Sequence, residues 1–122
     1  MNLTTLLWIA AGGALGSVIR ALTGWALADR APLATLIVNL AGSLLIGWLM
    51  ARLAGWEPAV AARAQAFLVV GFCGGFTTFS AFSWQTLEQM QQGRWGVAAA
   101  NVFLSVVLCL AAVWLGFRLG RA

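Results

Sequence analysis

The chain has no histidine and only three carboxylates among its 122 residues. Without histidine it lacks the usual general base at neutral pH; no serine stands beside a plausible substitute, and there is no glycine-rich phosphate loop. An enzyme is therefore not expected. Cys73 and Cys109 have neither the paired spacing of a zinc site nor a histidine to join them, so they read as small packing residues. Charge of either sign is scarce, at 8% of residues where soluble domains carry about 25%. The formal charge of +4 comes from arginines scattered at the ends of apolar runs, not clustered along one face, which argues against a nucleic-acid surface.

Apolar residues fill the space that charge leaves. They make up 62% of the chain, and the mean hydropathy is +0.93. This composition belongs to an all-α integral membrane protein. Four stretches free of charge, at residues 1–19, 31–51, 64–87 and 96–117, meet or exceed the roughly 18 residues needed to span a bilayer. The first continues through Arg20, so spans are predicted at 3–28, 32–52, 64–88 and 95–118, in a single four-span domain over 1–122. The connections at 29–32, 52–63 and 91–94 are too short for a soluble domain, which places any function within the bilayer. The Ala26-Leu27-Ala28 triplet resembles a signal-peptidase site, yet no basic residue precedes the first apolar run, and the first segment is expected to be retained.

An even number of spans puts Arg52, Arg63, Arg118 and Arg121 on one side and Arg30 and Arg94 on the other, a weak bias under the positive-inside rule. Insertion in both orientations is compatible with it. Four spans make too thin a bundle to enclose a wet pore, so a homo-oligomer is expected. Gly12 and Gly16 form a GxxxG pair, as do Gly71 and Gly75; both allow close helix approach, within one chain or between two.

Polar residues inside the spans are the candidates for function. Arg20 lies one turn after Gly16; it either snorkels toward Asp29 or sits at an aqueous vestibule that attracts anions. Thr35, Asn39 and Ser43 follow at i, i+4, i+8 and share one stripe, with an amide at its centre that can donate to an anion. In the third span a Gly74-Gly75 pair runs into Thr77, Thr78, Ser80 and Ser83, interleaved with Phe76, Phe79 and Phe82 at every third position. Irregular backbone at bilayer depth is tolerated only where it is buried in protein or lines a cavity. Hydroxyl donors beside electron-poor ring edges suit a small anion, so this span is predicted to break and form an ion site.

The segment Gly74-Gly75-Phe76-Thr77-Thr78-Phe79-Ser80-Ala81-Phe82-Ser83 resembles the central motif of the Fluc (CrcB-type) fluoride channels. Gly12 to Arg20 is similar to their first-span signature, and Thr35 to Ser43 to their second-span asparagine signature. The resemblance implies an antiparallel, dual-topology homodimer with the third helix broken near the bilayer midplane, in the plasma (inner) membrane of a prokaryote. It further implies a structural Na+ at the dimer interface, held by the backbone carbonyls of Gly74 and Thr77. Fluoride would pass Phe79, Phe82, Asn39, Ser80, Thr35 and Ser105, with Arg20 at the vestibule, and its passive export would relieve fluoride toxicity. Departures from the family pattern are Asn101 and Cys109 flanking Ser105, and Gln85 in place of a glutamate, with the acid at Glu88 instead.

Two other classes fit the sequence less well. A small multidrug-type proton-coupled antiporter needs a titratable carboxylate inside the bundle, and the first two spans have none. A non-transporting membrane assembly subunit has no use for a glycine break bordered by Thr77 and Thr78.

Overall fold

A computed structural model describes residues 2–122, which are helical apart from short connections. Helix α1 (Leu3–Ala26) starts at Asn2, whose Oδ1 accepts the Thr5 N–H at 2.9 Å and the Thr5 hydroxyl at 2.7 Å. A 3₁₀ turn, Ala28–Arg30, leads into α2 (Ala31–Leu53). Pro32 sits in the first turn of α2, where a missing N–H leaves no helical bond unmade. The Glu57 carboxylate accepts the N–H groups of Ala59 and Val60 at 3.1 and 3.0 Å, so α3 (Pro58–Ala64) starts within the stretch that the sequence marks as a connection. These two bonds hold Glu57 below the usual carboxylate range.

From Gln65 to Cys73 the chain widens into a π-helix before the short α4 (Gly74–Phe76). Thr77 (φ −88°, ψ 160°) and Thr78 (φ −151°, ψ 116°) are extended, and α5 (Phe79–Gln91) follows. The Thr78 hydroxyl caps α5 by accepting the Ala81 N–H at 3.1 Å. Gly93, at φ 73°, makes the turn into α6 (Trp95–Arg121) in a conformation that side-chain-bearing residues rarely adopt. Four helical stretches, Leu3–Ala26, Ala28–Leu53, Pro58–Gln91 and Trp95–Arg121, are long and apolar enough to cross a membrane. The protein is a multi-pass membrane protein.

Two seams hold the bundle together, and small residues make both. Apolar surface gives little drive for helix association when the solvent is lipid, so close backbone approach has to supply it. In the first seam α1 packs along the π-helix and α4. A Cβ on Gly12 would overlap the Phe67 carbonyl oxygen, one on Gly16 the Phe72 carbonyl, and one on Gly71 the Ile9 carbonyl at 2.7 Å. The two GxxxG pairs thus face each other within one chain. In the second seam α2 packs on α6, with Gly47 against Val113 and Gly116 against Leu44. Between the seams lies a small core of Leu49, Leu53 and Cys73. Most large apolar side chains point outward, as Trp25 and Phe103 do, which suits a lipid solvent.

Candidate ion site at the helix interruption

The extended residues Thr77 and Thr78 redirect the backbone hydrogen bonds around them. In an unbroken helix the Thr78 N–H would serve the Gly74 carbonyl and the Ala81 N–H that of Thr77. Here the Thr78 N–H donates to Asn39 Oδ1 at 2.7 Å and the Ala81 N–H to Thr78 Oγ1 at 3.1 Å. The carbonyls of Gly74 and Thr77 therefore lose their regular donors. Asn39 also donates from Nδ2 to the Thr78 carbonyl at 3.0 Å. Its amide reads the extended residue as a neighbouring strand would, and it keeps its second N–H for another acceptor.

The carbonyls of Cys73 and Gly75, next to the break, find partners within the chain. Cys73 O receives both the N–H and the hydroxyl of Thr77, at 3.0 and 2.8 Å. Gly75 O receives Arg20 Nε at 2.9 Å, with the Ser17 hydroxyl at 3.5 Å. Arg20 thus turns into the bundle toward the break. This differs from snorkelling toward Asp29: the Gly75 carbonyl, just before the extended pair, takes the guanidinium instead.

A groove of about 480 Å³ runs beside the break. Asn39, Ser43, Gly74, Thr77, Thr78, Phe79, Phe82, Ser105 and Cys109 contribute to its lining. Of the candidate site residues, Thr35, Ser80 and Arg20 lie outside it. Thr35 is buried and accepts Gln85 Nε2 at 2.9 Å, whereas Ser80 is exposed beside the Thr78 hydroxyl at 3.2 Å. Phe79 is 77% exposed and Phe82 only 8%, their ring centroids 5.4 Å apart. The extended pair also splits the phenylalanine row, because Phe76 stacks on Phe72 at 5.6 Å instead of continuing toward Phe79. Gly42 is the reason that α2 can approach, since a Cβ there would overlap the Thr77 methyl group.

A family model described as CrcB-like protein, Camphor Resistance (CrcB), matches residues 7–117. The chain belongs to the CrcB family. It is 48% identical over 118 residues to a Rhodospirillum rubrum protein named fluoride-specific ion channel FluC, covering 92% of this chain and 91% of that one. Proteins of the same name from Opitutus terrae and Methylocella silvestris are 50% and 46% identical, each over 116 residues. Those alignments cover 90% of this chain in both cases, and 87% and 88% of the relatives.

This CrcB chain also gathers polar groups that span-by-span reading did not assign. The Thr86 hydroxyl donates to Phe82 O at 2.8 Å and receives Asn101 Nδ2 at 3.1 Å, which ties α6 to α5. Gln89 is buried, and its Oε1, like that of Gln85, has no partner among the described residues. A signal was present in the spacing, since Gln85, Thr86 and Gln89 recur at i, i+1 and i+4 beyond the hydroxyl-rich start of the same helix.

Proposed function

We propose that this CrcB-family chain is a fluoride-selective passive channel, which lets the anion leave the cytoplasm and so relieves fluoride toxicity. The relatives described above carry that activity in their names, and the chain spans most of their length. The observation that carries the reading is the extended Thr77–Thr78 pair beside a groove lined by phenylalanine rings, hydroxyls and a half-used amide. Fluoride exchanges its hydration for donors at Asn39, Ser80, Thr35 and Ser105 and for the ring edges of Phe79 and Phe82. None of these is a fixed charge, and a pore must release an ion as readily as it takes one. Arg20 uses one N–H on Gly75 and offers the others to anions at the mouth.

The working unit in this reading is an antiparallel homodimer in the inner membrane of a prokaryote. The exposure of Gly74 and Phe79 on the open side of the groove supports a second copy seated there. Dual insertion fits the weak arginine bias. An isologous contact presents each patch twice, so the Gly74 and Thr77 carbonyls of two chains would supply oxygen ligands to one Na+ on the axis. Hard oxygen donors suit such a cation. Bound there, it would neutralise carbonyl dipoles facing one another and hold the two breaks in register.

The test is ion efflux from liposomes holding the purified protein, followed with a fluoride electrode, then repeated with chloride and without sodium. Rapid fluoride loss with negligible chloride loss is expected, with flux falling on sodium removal. Absence of fluoride flux from folded dimeric protein would overturn the channel reading. Flux indifferent to sodium would remove the cation alone.

A further inference from the structure

One end of the bundle carries three arginines, Arg52, Arg118 and Arg121, with no ion pair among the described residues. Arg52 closes α2, and Arg118 and Arg121 close α6. The second seam brings these ends together, because Gly120 packs against Ala51 and Trp48. Each guanidinium lies over an aromatic ring one turn earlier in its own helix: Arg52 over Trp48 at 5.9 Å, Arg118 over Trp114 at 5.6 Å, and Arg121 over Phe117 at 4.5 Å. The direction follows from helix geometry. Side chains lean toward the helix N-terminus, and at a C-terminal end that means back toward the bilayer. The three guanidinium groups thus lie back along the apolar helices, over their rings, instead of extending away from the helix ends.

Arginine stacked on a ring keeps its N–H edge free for an acceptor. Glu57, the carboxylate nearest in sequence to Arg52, is committed to the N–H groups of Ala59 and Val60. All three arginines and the rings of Trp48 and Trp114 are exposed. We propose that this end is a docking surface for anionic phospholipid, with headgroup phosphate on the arginine edges and acyl chain against Trp48 and Trp114. Basic clusters beside transmembrane helices attract such lipids, and bidentate phosphate pairing favours arginine. The inference is independent of what the channel conducts.

Native mass spectrometry of the protein released from nanodiscs of mixed phosphatidylglycerol and phosphatidylcholine tests it. Retention of phosphatidylglycerol over phosphatidylcholine is expected, falling by about fivefold for each arginine replaced in the series Arg52→Gln, Arg118→Gln and Arg121→Gln. Arg94→Gln, at the opposite end, serves as the control and is expected to leave retention unchanged. The glutamine variants leave the rings of Trp48, Trp114 and Phe117 in place, and native melting temperatures are expected for them, so that a lost lipid preference reports binding and not unfolding. Equal retention of the two lipids, or a loss in Arg94→Gln as large as in the triple variant, would overturn the proposal.

Discussion

Asn39→Ala separates the scaffold from the conduction path, because two hydrogen bonds of known geometry vanish together. The amide holds the Thr78 N–H at 2.7 Å and the Thr78 carbonyl at 3.0 Å. An orphaned backbone group costs about 1–3 kcal/mol, so the pair is worth about 2–6 kcal/mol. The groove beside Thr78 lets water replace part of that, which puts the expected loss near 2 kcal/mol, or about thirtyfold in local opening. Hydrogen exchange across residues 77–82 in nanodiscs reads this directly. Asn39→Asp gives the complementary result: its carboxylate still accepts the Thr78 N–H but faces the carbonyl without a donor and sets a negative charge beside the groove. Exchange at Thr78 is then expected to stay closer to that of the native protein while fluoride efflux collapses. Native protection in Asn39→Ala, or native efflux in Asn39→Asp, would refute the reasoning.

Phe79→Ile is expected to abolish fluoride efflux while the protein still folds and assembles, because the ring makes few contacts within its own chain, being 77% exposed; native efflux in the variant would take Phe79 out of the ion path. Gly16→Ala forces a methyl group onto the Phe72 carbonyl and is expected to destabilise by about 1–3 kcal/mol, whereas Gly24, with nothing within 4 Å of a Cβ, gains about 1 kcal/mol as alanine from helix propensity. Thermal unfolding of the two variants should move in opposite directions. Glu57, held below the usual carboxylate range, stabilises the start of α3 fully above its unfolded pKa and loses that contribution as pH falls through the lowered value. Exchange at Ala59 and Val60 should therefore be faster in Glu57→Gln than in the native protein at neutral pH and equal to it in strong acid.

Composition alone made the membrane helices legible, because a run of uncharged residues long enough to span has few other uses. The stripe of Thr35, Asn39 and Ser43 was legible by spacing, yet its partners were not: a period of four shows which residues share a face, and nothing about what that face meets. Thr35 meets Gln85, and Asn39 meets the backbone of Thr78. The glycine pairs left open whether they join helices of one chain or of two, and only the placement of Phe67 and Phe72 against Gly12 and Gly16 decides it. The phenylalanine row misled in a simple way. Counting by threes assumes a continuous helix, and the extended pair at Thr77 and Thr78 turns Phe76 toward Phe72.

The interruption is economical in what it leaves open. A helix broken at mid-span frees several carbonyls at once, and lipid can satisfy none of them. Two helices supply donors selectively: α1 sends Arg20 and Ser17 to Gly75, and α2 sends Asn39 to Thr78. The Thr77 side chain returns to Cys73, and the Thr78 hydroxyl takes the Ala81 N–H that would otherwise have served Thr77. Gly74 and Thr77 are residues of the break whose carbonyls lose their regular donors and which border the groove with no bond drawn from α1 or α2. Leaving polar backbone unpaired at bilayer depth is costly by several kcal/mol, and the groove beside Gly74 and Thr77 gives their carbonyls an open side. The same α1 and α2 contacts that fix the break therefore also determine which of its oxygens can bind anything.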